Sequence, residues 1–435
     1  MKNNETKQQR RARWSWYFYD FGNSSYASII LLAVFSTYFK NVVVGGAEGT
    51  RLWGLAVGLA AAIVAAISPI LGTIADFTKG KKKLLFLFTM LSVVFTALLF
   101  FVREGDVFVG ILFFVLAEIG YRASQVFYDA LLPEVSTPET IGAISGRGWA
   151  VGMVGGIVAL LIVILPIQLI GNSVIPFTFL VASLLFILAA LPTFIWVAET
   201  QETEGIPEGE TALVHALKNL SKTFRSVRTY REFVKYMFSY LIYNDGIMML
   251  MDFAAIIGAT LFGLDQIQLI ILVIILHVTG AIGALLFGRL ADRRSGKEAV
   301  LISLLILTIT ISALFFIPSI QWFFVVGGFA GFSLSAAQAV SRSIVVQLAP
   351  ADKTAEFYGF LSVAGRTSTF IGPLVFSSLS FRMNNWYLNA GYSIFDAERN
   401  GMMWAIASII TFLLVGGLLL LLVKRIHVEH VSEDG

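Results

Sequence analysis

The chain has no cysteine, only four histidines, and little charge: 14% of its 435 residues are Asp, Glu, Lys or Arg. Without cysteine there can be no disulfide framework, thiolate metal site or thiol nucleophile. Two of the histidines, His427 and His430, sit close to the C-terminus, which leaves little material for a metal centre. A soluble globular chain carries about 25% charged residues. Here 57% of the residues are apolar and mean hydropathy is +0.81, so a soluble fold would expose patches that aggregate. The same numbers exclude a disordered chain. A net charge of +3 is too small to suggest a nucleic-acid partner. These absences point to an integral membrane protein, with no metal, cofactor or catalytic residue expected.

What is present is a series of long apolar runs. One helical span needs about 20 mostly apolar residues. The pattern predicts twelve, near Trp14–Phe39, Leu52–Ala75, Lys83–Val102, Val107–Leu132, Ile141–Leu165, Val174–Val197, Phe233–Leu261, Gln266–Leu290, Ala299–Ile317, Trp322–Leu348, Phe357–Phe381 and Met402–Val423. Runs of this length exclude a β-barrel, whose strands are short and alternating. With both ends on one side, the tails and even-to-odd loops hold 22 of the 31 basic residues, and the opposite loops hold five. That asymmetry predicts cytoplasmic termini and a multi-pass protein of the plasma membrane. The basic N-terminal stretch runs straight into a full-length span, so no cleavable signal peptide is expected.

The longest polar stretch divides the chain. Residues 1–198 are expected to form one six-helix bundle, 199–231 a cytoplasmic linker and 232–435 a second bundle. Within the linker, Leu213, Ala216, Leu217, Leu220 and Phe224 recur at helical spacing between Lys218, Lys222, Arg225 and Arg228, which predicts a surface amphipathic helix. An internal repeat supports the division. Gly72, Asp76, Gly80 and Lys81 close the second span; Gly288, Asp292, Gly296 and Lys297 close the eighth, 216 residues later. Pro133, Glu139 and Gly142 match Pro350, Glu356 and Gly359 at an offset of 217. Parallel six-helix halves are a transporter architecture, with substrate held between them near the midplane.

The loop with Gly72, Asp76, Gly80 and Lys81, echoed in the second half, is similar to the signature of the major facilitator superfamily. Arg122-Ala-Ser-Gln125 resembles that superfamily's Arg-x-x-Gln motif. Gly148, Gly152, Gly155 and Gly156 come near its antiporter glycine pattern but lack the Pro, so antiport is not inferred. Tyr19-Asp20-Phe21-Gly22-Asn23-Ser24-Ser25-Tyr26, Phe127-Tyr128-Asp129-Ala130-Leu131-Leu132-Pro133 and Tyr243-Asn244-Asp245-Gly246 resemble the vacuole-effluxer family, linked in fungi to amino-acid efflux. The resemblance implies an all-α integral membrane fold: twelve transmembrane helices in two pseudo-symmetric six-helix bundles, the major facilitator fold. It also implies that Asp76 and Asp292 face the starts of the fifth and eleventh spans as cytoplasmic gates. Lys81 and Lys297 of the same loops are counted with these gates, and Arg147 and Arg342, nearer the cytoplasm within their spans, are expected to form gate ion pairs.

Ionisable groups inside a span are costly and mark functional sites or fixed ion pairs. Asp20, Asn23 and Ser24 gather on the first span, where Gly22 is expected to let the helix bend or a ligand approach. Glu118, Arg122, Gln125 and Asp129 share one face of the fourth. Arg122 is suited to holding a carboxylate; Glu118 is either a proton carrier or a structural partner of Arg122. Asn244 and Asp245 lie near the midplane of the seventh span, and Arg366 is central in the eleventh. Asp252, nearer the outside, is expected on the exit path. Asp20, Glu118, Asp245 and His277 are the proton-coupling candidates. Gly280, Gly283 and Gly288 are expected to pack one half on the other. Acidic and basic groups together suit a zwitterion. The expectation is a monomeric secondary transporter that moves a small polar solute such as an amino acid by alternating access. A membrane enzyme lacks the necessary residues, and a non-transporting scaffold, receptor or lipid scramblase on the same fold is the alternative.

Overall fold

The structure is a computed structural model that describes residues 6–78, 80–137, 140–199, 230–317, 319–348, 365 and 369–424. Within those helices the side chains of 68–69, 71–78, 141–143, 292, 342–343 and 345–347 are left undescribed. Arg366 and the amphipathic stretch 211–228 therefore lie outside the described residues. So do the side chains of the gate candidates Asp76, Asp292 and Arg342.

The described chain is helical. In chain order the long helices are α1 (Lys7–Val44), α2 (Gly46–Thr78), α3 (Lys81–Leu98), α4 (Val107–Ala130), α5 (Ile141–Ile170) and α6 (Ile175–Trp196). After the polar stretch come α7 (Arg231–Phe262), α8 (Gln266–Arg293), α9 (Gly296–Ala313), α10 (Ile320–Leu348), α11 (Ile371–Asn389) and α12 (Ile394–Leu421). Among the described residues eleven helices are long and apolar enough to cross a membrane. α11, whose described part begins at Ile371, continues past the expected end at Phe381 to Asn389.

Helix starts follow local chemistry. Thr6 and Gln9 form a capping box at α1, Asp265 and Gln268 another at α8, and Ser295 and Ser393 accept from the third residue of α9 and α12. α1 outruns its predicted span at both ends and changes pitch. Its turns widen to i→i+5 bonding over Ala27–Ala33 and again over Phe39–Val44. The irregularity thus falls one turn beyond Gly22. Gly22 itself packs on α6: a Cβ there would come within 2.8 Å of Ala189.

Helix pairings come in two matching sets. α1 packs on α5 and α6, α3 on α4 and α6, and α2 on α4; α7 packs on α11 and α12, α9 on α10 and α12, and α8 on α10. The sets meet along α2–α11 and α5–α8. Glycines let backbones touch. A Cβ on Gly155 would lie 2.3 Å from the Phe21 carbonyl oxygen (α5 on α1), and one on Gly372 would lie 3.0 Å from the Asp245 carbonyl oxygen (α11 on α7). Gly280 and Gly283 correct an expectation. They bring α8 against Ser335 and Phe332 of α10, within one set, and a Cβ on Gly288 would meet open space.

Candidate functional site

The polar residues of α1, α4, α7 and α10 converge between the two helix sets. Glu118 is fully buried, and both carboxylate oxygens are engaged: Tyr26 Oη donates to one at 2.9 Å and Arg122 Nε to the other at 2.5 Å. The Tyr26 and Tyr121 rings stack beside this pair, 4.5 Å between centroids. Glu118 and Arg122 are one turn apart on α4, so the helix aims both at α1 and the opposite set. Beyond Glu118, the guanidinium reaches across the seam. Arg122 Nη1 donates to Thr369 Oγ1 at 3.4 Å, and Nη2 lies 3.9 Å from Asp252 Oδ1 on α7.

Asp252, expected on an exit path, stands within 3.9 Å of the Arg122 guanidinium. Counting rise along the seventh span gives only the depth of its Cα. The count ignores the reach of an arginine side chain, which carries charge several ångströms from its Cα. Trp53 Nε1 of α2 donates to the Asp252 carbonyl at 3.0 Å and fixes the backbone there.

Two buried carboxylate oxygens, Asp252 Oδ2 and Asp245 Oδ1, have no hydrogen-bond partner among the described residues. Unpaired buried acceptors of this kind are rare and call for an explanation. Next to them, Asn244 accepts from Gln338 Nε2 of α10 at 3.1 Å and donates to the Gly365 carbonyl at 3.3 Å. On the other side of the seam, Gln125 Nε2 faces Asn23 Oδ1 at 3.5 Å.

The remaining candidates are placed differently. Asp20 and Ser24 lie in the α1–α5 contact, where a Cβ on Gly152 would stand 2.7 Å from Asp20 Oδ2 and 2.9 Å from Ser24 Oγ. Four glycines of α5 serve such approaches: beside Gly152, Gly148 meets Trp16, Gly155 the Phe21 backbone, and Gly156 both Ser28 and His277. His277 on α8 presents Nδ1 to the Val273 carbonyl at 2.8 Å and Nε2 to Ser28 Oγ at 3.5 Å. A carbonyl only accepts, so Nδ1 carries a proton and, in the neutral ring, Nε2 is left as the acceptor.

Of the gate candidates, Lys297 Nζ donates to the Leu421 carbonyl at 2.9 Å and the Val423 carbonyl at 2.5 Å, at the end of α12. In the first set, Lys82 Nζ donates to the Val197 carbonyl at 2.7 Å just past α6. A cation on the last carbonyls of a helix is favoured by the helix dipole. Lys297 in one set and Lys82, the neighbour of the repeated Lys81, in the other thus hold the corresponding closing helix. Lys81 opens α3, and Arg147 on α5 is exposed.

Where α1 meets α2, the two sets close on each other. Gln266 Nε2 donates to the Ala33 carbonyl at 2.7 Å, Thr37 Oγ1 donates to Gln266 Oε1 at 3.2 Å, and Lys40 Nζ lies 2.6 Å from Glu398 Oε1. The Arg51 guanidinium sits 4.9 Å from the Phe381 ring centre. Sequence reading gave Tyr26, Gln266, Gln338 and Thr369 no place in these networks and set Asp252 on the exit path instead. Tyr, Gln and Thr carry no charge, so nothing marks them within an apolar run.

Paired helix sets around a buried polar centre make up the major facilitator fold, and solved structures share it. A bacterial homologue of the human lysosomal transporter Spinster, inward-facing and unoccupied, superposes with a TM-score of 0.73 at 14% identity, covering 97% of this chain and 98% of that one. The nucleoside transporter NupG superposes with a TM-score of 0.69 at 12% identity, covering 96% and 100%. The family model described as vacuole effluxer Atg22 like matches residues 52–389, and the chain belongs to that family. An uncharacterised MFS-type transporter of Bacillus subtilis (strain 168), YxiO, is 30% identical over 379 residues, 85% of this chain and 87% of that protein. Autophagy-related protein 22 of Kluyveromyces lactis is 23% identical over 70% of this chain and 68% of its own length. The protein is therefore a multi-pass membrane transporter and not an enzyme.

Proposed function

We propose that the chain is a secondary transporter for an amino acid or similar zwitterion, worked by rocking of residues 1–198 against 232–435 about the central cluster. The observation that carries this reading is one cation, Arg122, in a buried centre where Asp252 and Asp245 each leave one carboxylate oxygen without a hydrogen-bond partner among the described residues. Arg122 offers a planar fork for a substrate carboxylate. Asp252 and Asp245 offer buried acceptors for an ammonium, and Asn244, Asn23 and Gln125 supply neutral contacts. A zwitterion brings one charge of each sign and so satisfies both ends of the site. Asp20, Ser24 and Arg366 are proposed to complete the site as the halves move.

Proton coupling through Asp245, with Asp20, Glu118 and His277 as further candidates, is part of the proposal. So are the cytoplasmic gates at Asp76, Lys81, Asp292, Lys297, Arg147 and Arg342, and cytoplasmic termini in a plasma membrane. Their support is the repeat and the distribution of basic residues. The test is uptake of a panel of labelled amino acids into proteoliposomes, with and without an imposed pH gradient. We expect saturable uptake of at least one amino acid, lost in Arg122→Ala. Wild-type rates in that variant would remove Arg122 from the site. A flat panel together with lipid flipping would favour the scramblase alternative.

A further inference from the structure

Away from the central cluster, α1 and α6 leave a groove of about 430 Å³ on the outer surface of the bundle. One wall is Arg11, Trp14, Phe18 and Phe21 of α1, and the other includes Leu188, Pro192 and Trp196 of α6. The α1 wall follows i, i+3, i+7, i+10 and so forms a single stripe. α1 and α6 run antiparallel, so the N-terminal end of one and the C-terminal end of the other share a mouth. Thr193 Oγ1, donating to the Ser15 carbonyl at 2.7 Å, closes the floor, and the Gly22–Ala189 approach closes the far end.

Trp14, Phe18, Leu188 and Trp196 are all well exposed although they line one concavity. In water such a surface would be a liability; in a bilayer it is a surface shaped for an acyl chain. Its length agrees. From Arg11 to Phe21 is ten residues, about 15 Å of helical rise, and half of a hydrocarbon core of about 30 Å is one leaflet. Tryptophans at Trp14 and Trp196 sit at the mouth, at the level where indoles favour the headgroup region. Arg11 stands at the same mouth, exposed, with no ion pair or side-chain hydrogen bond among the described residues. Lys7 lies one turn earlier on the same stripe. The groove therefore has an apolar body one leaflet long and a free cation where a headgroup would rest.

We propose that this groove is a binding site for an anionic phospholipid of the leaflet at the α1 N-terminus, with one acyl chain between α1 and α6 and the phosphate on Arg11. It is distinct from the solute site and independent of the amino-acid reading.

The test reconstitutes the full chain in bilayers with dibrominated phosphatidylglycerol or dibrominated phosphatidylcholine at equal mole fraction and measures quenching of tryptophan fluorescence. Phosphatidylglycerol is expected to quench preferentially. Arg11→Gln should cut that preference roughly fivefold, the worth of one interfacial cation. A Trp14→Phe/Trp196→Phe variant should lose the headgroup-dependent part of the quenching. Equal quenching by both lipids in the wild-type chain would mean ordinary annular lipid, and it would overturn the proposal. So would headgroup-selective quenching that survives in the double variant, since it would then come from elsewhere. Absence of quenching of Trp14 and Trp196 by either lipid would show that protein covers the groove, a second copy included, and would equally overturn it.

Discussion

Arg122 is the residue on which most of the central geometry depends. It has three neighbours: Glu118 on its own helix, Asp252 on α7, and Thr369 in the turn just before α11. Removing one member of a buried ion pair leaves an uncompensated charge and costs about 3–5 kcal/mol. Glu118→Ala is therefore expected to destabilise the protein by that amount, read as a fall in the unfolding midpoint of the purified chain. Glu118→Gln keeps an acceptor for Tyr26 and a partner for Nε, so it should lose clearly less. Arg122→Lys retains the charge but not the fork that spans Glu118 and Thr369. Initial uptake of the amino acid identified in the panel is expected to fall about tenfold or more, since charge-assisted hydrogen bonds are worth about 1.5–3 kcal/mol each. A rate within twofold of wild type would show that a point charge suffices at this position.

At the scale of helices, α5 is where small residues matter most. Its glycines bring it against α1 and α8, and the contacts are with backbone at Gly155 and with side chains at Gly148, Gly152 and Gly156. A backbone carbonyl cannot swing aside as a side-chain tip can. Gly155→Ala is thus expected to destabilise by about 1–3 kcal/mol, the usual cost of overpacking. Gly146, on the same helix, has nothing within 4 Å of a would-be Cβ. Gly146→Ala should be neutral or stabilising by about 0.5–1 kcal/mol, because alanine has less backbone entropy to lose. Paired thermal unfolding of the two variants checks this. Equal effects would mean that α5 is free to shift away from α1. These glycines resemble an antiporter pattern in sequence; in the structure each is accounted for by a packing contact.

The whole molecule is closed at the end where α1 meets α2 and α7 meets α8. Ala33, Thr37 and Lys40 of α1 are tied to Gln266 and Glu398 of the second set. Any rocking that opens this end must break those ties. The chain has no native cysteine, so paired thiols can be introduced cleanly. Thr37→Cys with Gln266→Cys, bridged by a short reducible bis-thiol reagent, is expected to arrest uptake, and reduction should restore it. Each single variant treated alike should keep transporting. Continued uptake by the bridged double variant would show that this seam stays shut throughout the cycle. Lys40→Ala and Glu398→Ala should each cost more than half of what the double variant costs, since either change alone strands the other charge.

Much of this was legible in the sequence. Low charge, long apolar runs and a twice-used Gly–Asp–Gly–Lys loop were enough for the helix count and the fold, because a bilayer leaves a chain few ways to satisfy its backbone. The same scarcity of charge made Glu118 and Arg122 conspicuous as a pair, and their spacing of four put them on one helical face. What the sequence left open was which side of that face meets which helix. Only tertiary packing brought Asp252, Tyr26 and Thr369 to Arg122, put Asp20 and Ser24 in the α1–α5 contact, and turned Gly22 from a hinge into a helix contact. The physical reason is that periodicity fixes a residue's direction on its own helix, whereas partners are chosen by how twelve helices pack, which depends on glycine-sized gaps and side-chain reach.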